Sequence, residues 1–83
     1  MNDQKLVNIV LGNYIRTKRI EKGFTLEKLA EEIDMDDKHL SKVELGKKMP
    51  GFMTVYKIAQ VLEFHDPFFQ HMANELKKIK REK

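Results

Sequence analysis

Residues 36–48 read DDKHLSKVELGKK, a short stretch that carries three carboxylates, an imidazole, a hydroxyl and four amines. Such groups could serve catalysis, metal ligation or hydrogen-bonded recognition, and their spacing separates the three. His39, Ser41 and Glu44 are residue types of a hydrolytic triad, but side chains two apart on a helix diverge and do not form a nucleophile–base pair. His39 reads as an exposed helical residue. His65 and His71 lie six apart with no third ligand beside them, so no metal site is expected. The chain has no cysteine and no glycine-rich phosphate loop, which leaves an enzyme reading without support and implies no cofactor. Recognition remains. The stretch leads with acid and finishes with base, and the question is what surface such a helix would meet.

A chain of 83 residues forms one domain whose single core needs most of its apolar residues. Hydrophobic residues at 41% and charged residues at 35% fit a soluble globular protein. The lack of cysteine suits a reducing cytoplasm. No apolar run approaches the length of a membrane span, and the first residues lack a signal-peptide core, so no membrane partner is expected. The net charge of +3 is unevenly spread. Residues 1–24 carry five bases and two acids (+3), residues 25–46 three bases and seven acids (−4), and residues 47–83 eight bases and four acids (+4). An acidic middle makes the chain a weaker nucleic-acid candidate than its pI of about 9.2 suggests.

Hydrophobic periodicity predicts five helices and no strand, an all-α fold. The first spans about Leu6–Lys22, with Val7, Leu11 and Ile15 in one row and Gly23 as its stop. Thr25 is the expected N-cap of the second, whose apolar face is Leu26, Leu29, Ala30 and Ile33. Asp36 caps the third, which turns Leu40 and Val43 inward and ends at Gly46. Pro50-Gly51 leads into the fourth, with Phe52, Val55, Ile58, Ala59 and Leu62 at helical spacing. Asp66-Pro67 opens the fifth. The implied organisation is a short extension over 1–5, a domain over 6–65, and a C-terminal helix with a basic tail over 66–83.

The informative unit is Leu26–Leu45. Ala30 lies where two crossing helices approach closely. Asp34 occupies the turn, where a left-handed backbone is needed and aspartate is tolerated better than most residues. Leu40 and Val43 bury the next helix. This is helix-turn-helix spacing, which presents the second helix to a major groove.

From Leu11 to Leu62 the chain resembles the lambda-repressor-like, or Cro/XRE-type, helix-turn-helix regulators. The segments that carry the likeness are LGNYIRTKRIEKGFTLEKLAEEI, HLSKVELGKKMP and TVYKIAQVL. The resemblance implies a compact five-helix domain that binds double-stranded DNA. It places Asp37, Lys38, His39, Ser41 and Lys42 where family members face base edges, and Lys47, Lys48 and the start of the fourth helix where they grip phosphate. It also places Arg19 and Glu44 where the family has a buried ion pair. Two positions depart from the pattern: a phosphate-binding glutamine is Leu26 here, and the small turn residue is Asp34. Asp36 has a structural task as a cap, Asp37 could accept from a cytosine amino group, and Lys38 or Lys42 could donate to guanine. Arg16 and Lys18 add a basic flank for phosphate.

Arg19 continues the Val7-Leu11-Ile15 row, so its stem points inward, and Glu44 falls close to the inward side of the third helix. The stripe Phe68, Phe69, Met72, Leu76 and Ile79 either covers the core or pairs two subunits, and adjacent phenylalanines diverge enough for both. The family is mostly dimeric, which makes Phe68, Phe69, Met72 and Leu76 candidates for a homodimer interface. Two functions stand open. One is a sequence-specific DNA-binding regulator, a homodimeric repressor on a palindromic operator. The other is an interaction module that binds a protein partner through the acidic face of the second and third helices.

Overall fold

Each helix end is written in the local sequence. The computed structural model describes residues 3–64 and 68–81; within the last segment, the described side chains are those of residues 70 and 74–79. The described residues form α1 (Asp3–Glu21), α2 (Leu26–Glu32), α3 (Asp37–Glu44), α4 (Phe52–Leu62) and α5 (Phe68–Arg81), with no strand among them. α1 starts three residues before the expected Leu6, so most of the expected extension is helical. Asp3 lies in its first turn, where a carboxylate suits the helix dipole. The Thr25 hydroxyl accepts from the Lys28 N–H at 3.0 Å and caps α2. In the turn to α3, Asp34 takes φ 54, the left-handed conformation that the spacing demanded. The expected Asp66-Pro67 start of α5 lies outside the described residues.

The core is built from Val10, Leu11 and Ile15 of α1, Leu29, Ala30 and Ile33 from α2 and its C-cap, Leu40 and Val43 of α3, and Ile58 and Leu62 of α4. α1 buries more than the Val7-Leu11-Ile15 row: Leu6, Val10 and Tyr14 are buried as well, while Val7 is only half-buried. α5 packs against α1, and its Leu76 and Ile79 are half-buried against the core. Leu76, one of the candidates for a homodimer interface, is thus partly spent on the core. Leu26, where the family pattern has a phosphate-binding glutamine, also packs on the core. Phe52 departs from expectation most. Placed among the apolar residues at helical spacing in α4, it is 81% exposed, because the helix turns it to the side of Tyr56 rather than that of Ile58 and Leu62.

Two features fix α3 against α1. Gly12 faces the last turn of α3, and a Cβ there would sit 2.7 Å from the Glu44 carbonyl oxygen and closer still to that of Val43. Only a residue without a side chain lets the two backbones approach this far. Beyond it lies an ion pair between the helices. Arg19 donates from Nε to Glu44 Oε2 at 2.7 Å and from Nη2 to Oε1 at 3.0 Å, and its Nη1 reaches the Phe24 carbonyl at 2.9 Å. Side-chain exposure is 12% for Arg19 and 4% for Glu44, so both charges are largely out of water and rely on each other. Gly46, at φ 76, then turns the chain away beneath Ile9 of α1.

Three stability measurements test this seam and the turn. Arg19→Ala and Glu44→Ala should each lower stability by about 3–5 kcal/mol, because each strands a buried charge. The double variant should lose less than the sum of the two, as read by urea unfolding in a double-mutant cycle; small additive terms would mean that the pair does not hold the helices together. Gly12→Ala should lose about 1–3 kcal/mol through forced separation of α1 and α3. Asp34→Gly should instead gain up to about 1 kcal/mol, since relief of left-handed strain exceeds the added freedom of the unfolded chain.

Candidate nucleic-acid interface

The outward side of α3 is decided by what its inward side must bury. Leu40, Val43 and Glu44 face in. Lys38 and Lys42, about 40° apart on the helix, stand on the opposite side and form its exposed ridge. His39 is exposed on one flank, and Ser41 and Asp37 are half-buried on the other. Thus the five expected base-edge residues do not contribute equally to the surface. Two amines lead it.

Asp36 is not part of that surface in the way its charge suggests. Its Oδ2 accepts from the Lys38 N–H at 3.0 Å and the His39 N–H at 3.2 Å, which satisfies two orphan donors at the start of α3. Glu44, at the other end, is held by Arg19. Two of the three carboxylates in the stretch therefore face backbone or guanidinium. Lys47 and Lys48 follow in the exposed loop after α3, and the Lys47 N–H closes that loop on the Lys42 carbonyl at 2.9 Å. The result is a cationic run, Lys38, Lys42, Lys47 and Lys48, along one helix and the loop that leaves it.

The expected flank behaves differently. Arg16 and Lys18 line an open groove between α1, the end of α3 and α5 that also carries Glu21 and Glu75. The Lys18 ammonium sits 5.5 Å from the Tyr14 ring centre and 3.7 Å from Glu21, so it is drawn onto its own helix. Tyr14 in turn meets Phe64 edge to face, with ring centres 5.0 Å apart. These contacts leave the Lys18 ammonium less open to an outside partner than the exposed loop lysines. On α2, Glu27, Glu31 and Glu32 are exposed, with Lys28 lying 3.6 Å from Glu31. The candidate dimer residues Phe68 and Phe69 and Met72 belong to α5, but their side chains lie outside the described residues. Among the described residues no group of three His, Cys, Asp or Glu could hold a metal ion. His65 and His71 also lie outside the described side chains.

Leu45 carried no part in the sequence reading of this surface. It is exposed just past the end of α3, three positions after Lys42 and seven after Lys38, and so extends their ridge with an apolar tip. Its signal was its spacing, which the stop at Gly46 concealed.

A family model described as Helix-turn-helix matches residues 15–68. An uncharacterized HTH-type transcriptional regulator of Bacillus subtilis, YqaF, is 29% identical over 69 residues, covering 82% of this chain and 91% of that protein. Another from Sinorhizobium fredii, y4dJ, is 36% identical over 62 residues, 75% of each chain. Among solved structures, the clp gene regulator ClgR of Corynebacterium glutamicum superposes with a TM-score of 0.79 at 24% identity, covering 92% of this chain and 84% of that one. A variant of the restriction-modification controller protein C.Esp1396I superposes at 0.70 with 29% identity, over 86% and 95%. With the family model matching well over half of it and the solved structures sharing its fold, this chain belongs to the lambda-repressor-like, Cro/XRE-type helix-turn-helix family of transcriptional regulators.

Proposed function

We propose that the protein reads one family of double-stranded DNA sites as a cytoplasmic homodimer on a palindromic operator and represses transcription by occupying it. The observation that carries this reading is the lysine ridge of α3, Lys38 and Lys42, continued by Lys47 and Lys48 while Asp36 and Glu44 are engaged within the fold. In the reading, Lys38 and Lys42 donate to guanine edges, with Asp37, His39 and Ser41 flanking them, and Lys47 and Lys48 bind phosphate. Arg16 serves as an outer phosphate contact. Asp37, half-buried on its flank, adds selectivity through a cytosine amino group more than it adds affinity. Two-fold pairing would set two α3 helices on half-sites about 34 Å apart, one turn of DNA.

A second reading has its own observation. The exposed carboxylates Glu27, Glu31 and Glu32 on α2 give the helix-turn-helix unit an acidic face that could meet a basic protein partner. Selection of bound duplexes from a random pool at two salt concentrations separates the two. The DNA reading expects one enriched sequence, bound about 4–10 kcal/mol more tightly than random DNA. A pool with no enrichment at low salt would give way to the protein-partner reading.

The two lysine classes should also part on mutation. Lys42→Ala should lose about 1–3 kcal/mol and relax preference at one base position. Lys47→Ala should weaken all duplexes alike and reduce the slope of log affinity against log salt by about one. Titration of both variants against the selected site and its single-base changes is the check; equal effects on specificity would mean a different docking orientation.

A further inference from the structure

The loop that carries Lys47 and Lys48 lies on the first two turns of α1 and is held there at both ends. At one end, a Cβ on Gly46 would stand 2.9 Å from Ile9 Cα and 3.1 Å from Ile9 N. At the other, the Gln4 amide donates to the Met49 sulfur at 2.9 Å and to the Asn8 side-chain oxygen at 3.2 Å. Ile9 and Gln4 are five residues apart, about 7.5 Å along a helix, and three residues of loop reach up to about 10 Å. The loop therefore runs back along α1, antiparallel to it, with its two lysines exposed between the contacts. These turns of α1 precede Leu11, where the family likeness begins, and that likeness gives them no part in DNA binding.

Lys5 stands on the same stretch. Counted around the helix, it falls between Gln4 and Ile9, about 100° from the first and about 40° from the second, and it is exposed. Charge here is of one sign. Residues 4–20 contain no carboxylate, and neither do residues 45–62. The two segments that meet at these contacts thus set Lys5, Lys47 and Lys48 on one surface with no acid from either. Asp3, the carboxylate nearest in sequence, lies on the other side of α1, about 160° around from Lys5. Amines gathered in this way repel one another, and a polyanion laid across them relieves that repulsion.

We propose that the start of α1 is part of the DNA-binding surface: Lys5 binds a phosphate beside those held by Lys47 and Lys48, and Gln4 positions the loop. The proposal rests on the DNA reading and extends the contacted surface beyond the helix-turn-helix. Lys5 carries no sequence information in this role, since phosphate contacts fix register while base edges specify. Its contribution is to affinity for every duplex. Gln4 is a positioning residue and touches no phosphate. Its amide fixes Met49, the residue after Lys48, and so limits the conformations from which the loop amines must be collected on binding. Freeing that end removes no charge, so it lowers affinity without changing the number of counterions released.

The test is fluorescence-anisotropy titration of the full chain against the duplex most enriched from the pool and against a random one, over a series of salt concentrations. Wild type is compared with Lys5→Ala, Lys5→Arg, Gln4→Leu and Lys77→Ala, the last removing an exposed amine of α5. Lys5→Ala should reduce the slope of log affinity against log salt by about one and weaken both duplexes by the same factor. Lys5→Arg should keep the slope of wild type. Gln4→Leu should weaken both duplexes by about two- to tenfold with the slope unchanged. Lys77→Ala should leave slope and affinity as they are, and thermal unfolding of every variant should follow wild type, since all three positions are exposed. A wild type that binds both duplexes, beside a Lys5→Ala of equal slope, overturns the proposal and leaves the DNA reading standing. So does a Lys77→Ala that lowers the slope as far as Lys5→Ala does, which would reduce the effect to net charge. An affinity unmoved by Gln4→Leu overturns its positioning role. A wild type that binds neither duplex at low salt overturns the DNA reading, and this proposal with it.

Discussion

A buried carboxylate at the end of α3 sets the terms for the rest of the molecule. Glu44 is shut away from water, and a lone charge in that setting would destabilise a small domain by a large share of its total stability. Its partner can only be Arg19, whose guanidinium meets both carboxylate oxygens and spends its remaining arm on the Phe24 carbonyl. One side chain thereby ties α1, the loop after α1 and the end of α3. The approach that makes this possible depends on Gly12, where α1 presents bare backbone to the last turn of α3. The rotation of α3 about its own axis is fixed from the α1 side as well as from the turn after α2. That rotation decides which side chains look outward.

The acidic balance of the helix-turn-helix segment takes on a different meaning once the fold is known. Of its seven carboxylates, Asp36 is bound to two backbone N–H groups, Glu44 is ion-paired in the interior, and Asp34 holds a left-handed turn. Net charge counted along the chain treats these as surface charge. Asp36 and Glu44 are consumed by the architecture, Glu27, Glu31 and Glu32 stay exposed on α2, and the side of α3 that faces solvent is led by lysines. A helix that begins with acid and ends with base is therefore consistent with a cationic outer ridge: the acids serve the helix ends, which need hydrogen-bond acceptors and a counter-charge, and the amines occupy the only side left to them.

Apolar residues are divided by the same economy. A chain of this length closes one core with α1 to α4 and covers it with α5, whose Leu76 and Ile79 reach back onto it. Among the described residues, four of the seven exposed large apolar side chains lie around the start of α4, with Ile9 and Ile20 on α1 and Leu45 after α3. Phe52 and Tyr56 share a side of α4 and both are exposed. No helix among the described residues is long and apolar enough to cross a membrane, so this patch is a local surface feature rather than part of a spanning segment.

Much of this was legible in the sequence. The five helices, the caps Thr25 and Asp36, the left-handed Asp34 and the inward Leu40 and Val43 follow from local rules, because helix periodicity, capping and turn conformation depend on residues within a few positions of each other. The pairing of Arg19 with Glu44 was implied by the family resemblance, and the inward side of its own helix on which each lies agrees with it. What local rules could not supply was everything that depends on distance in space between residues far apart in the chain. Gly12 reads as an unremarkable helical glycine until the carbonyls of Val43 and Glu44 lie against it. Lys18 reads as a free basic flank until Tyr14 and Glu21 are seen to hold it. Phe52 fits the apolar rhythm of α4, yet that rhythm gives only the angle of a side chain around its helix, and whether a neighbouring helix covers that angle at that height is a property of the packed whole. The sequence determined the elements, their ends and the residue types each face offers; tertiary packing alone decided which of those faces is covered.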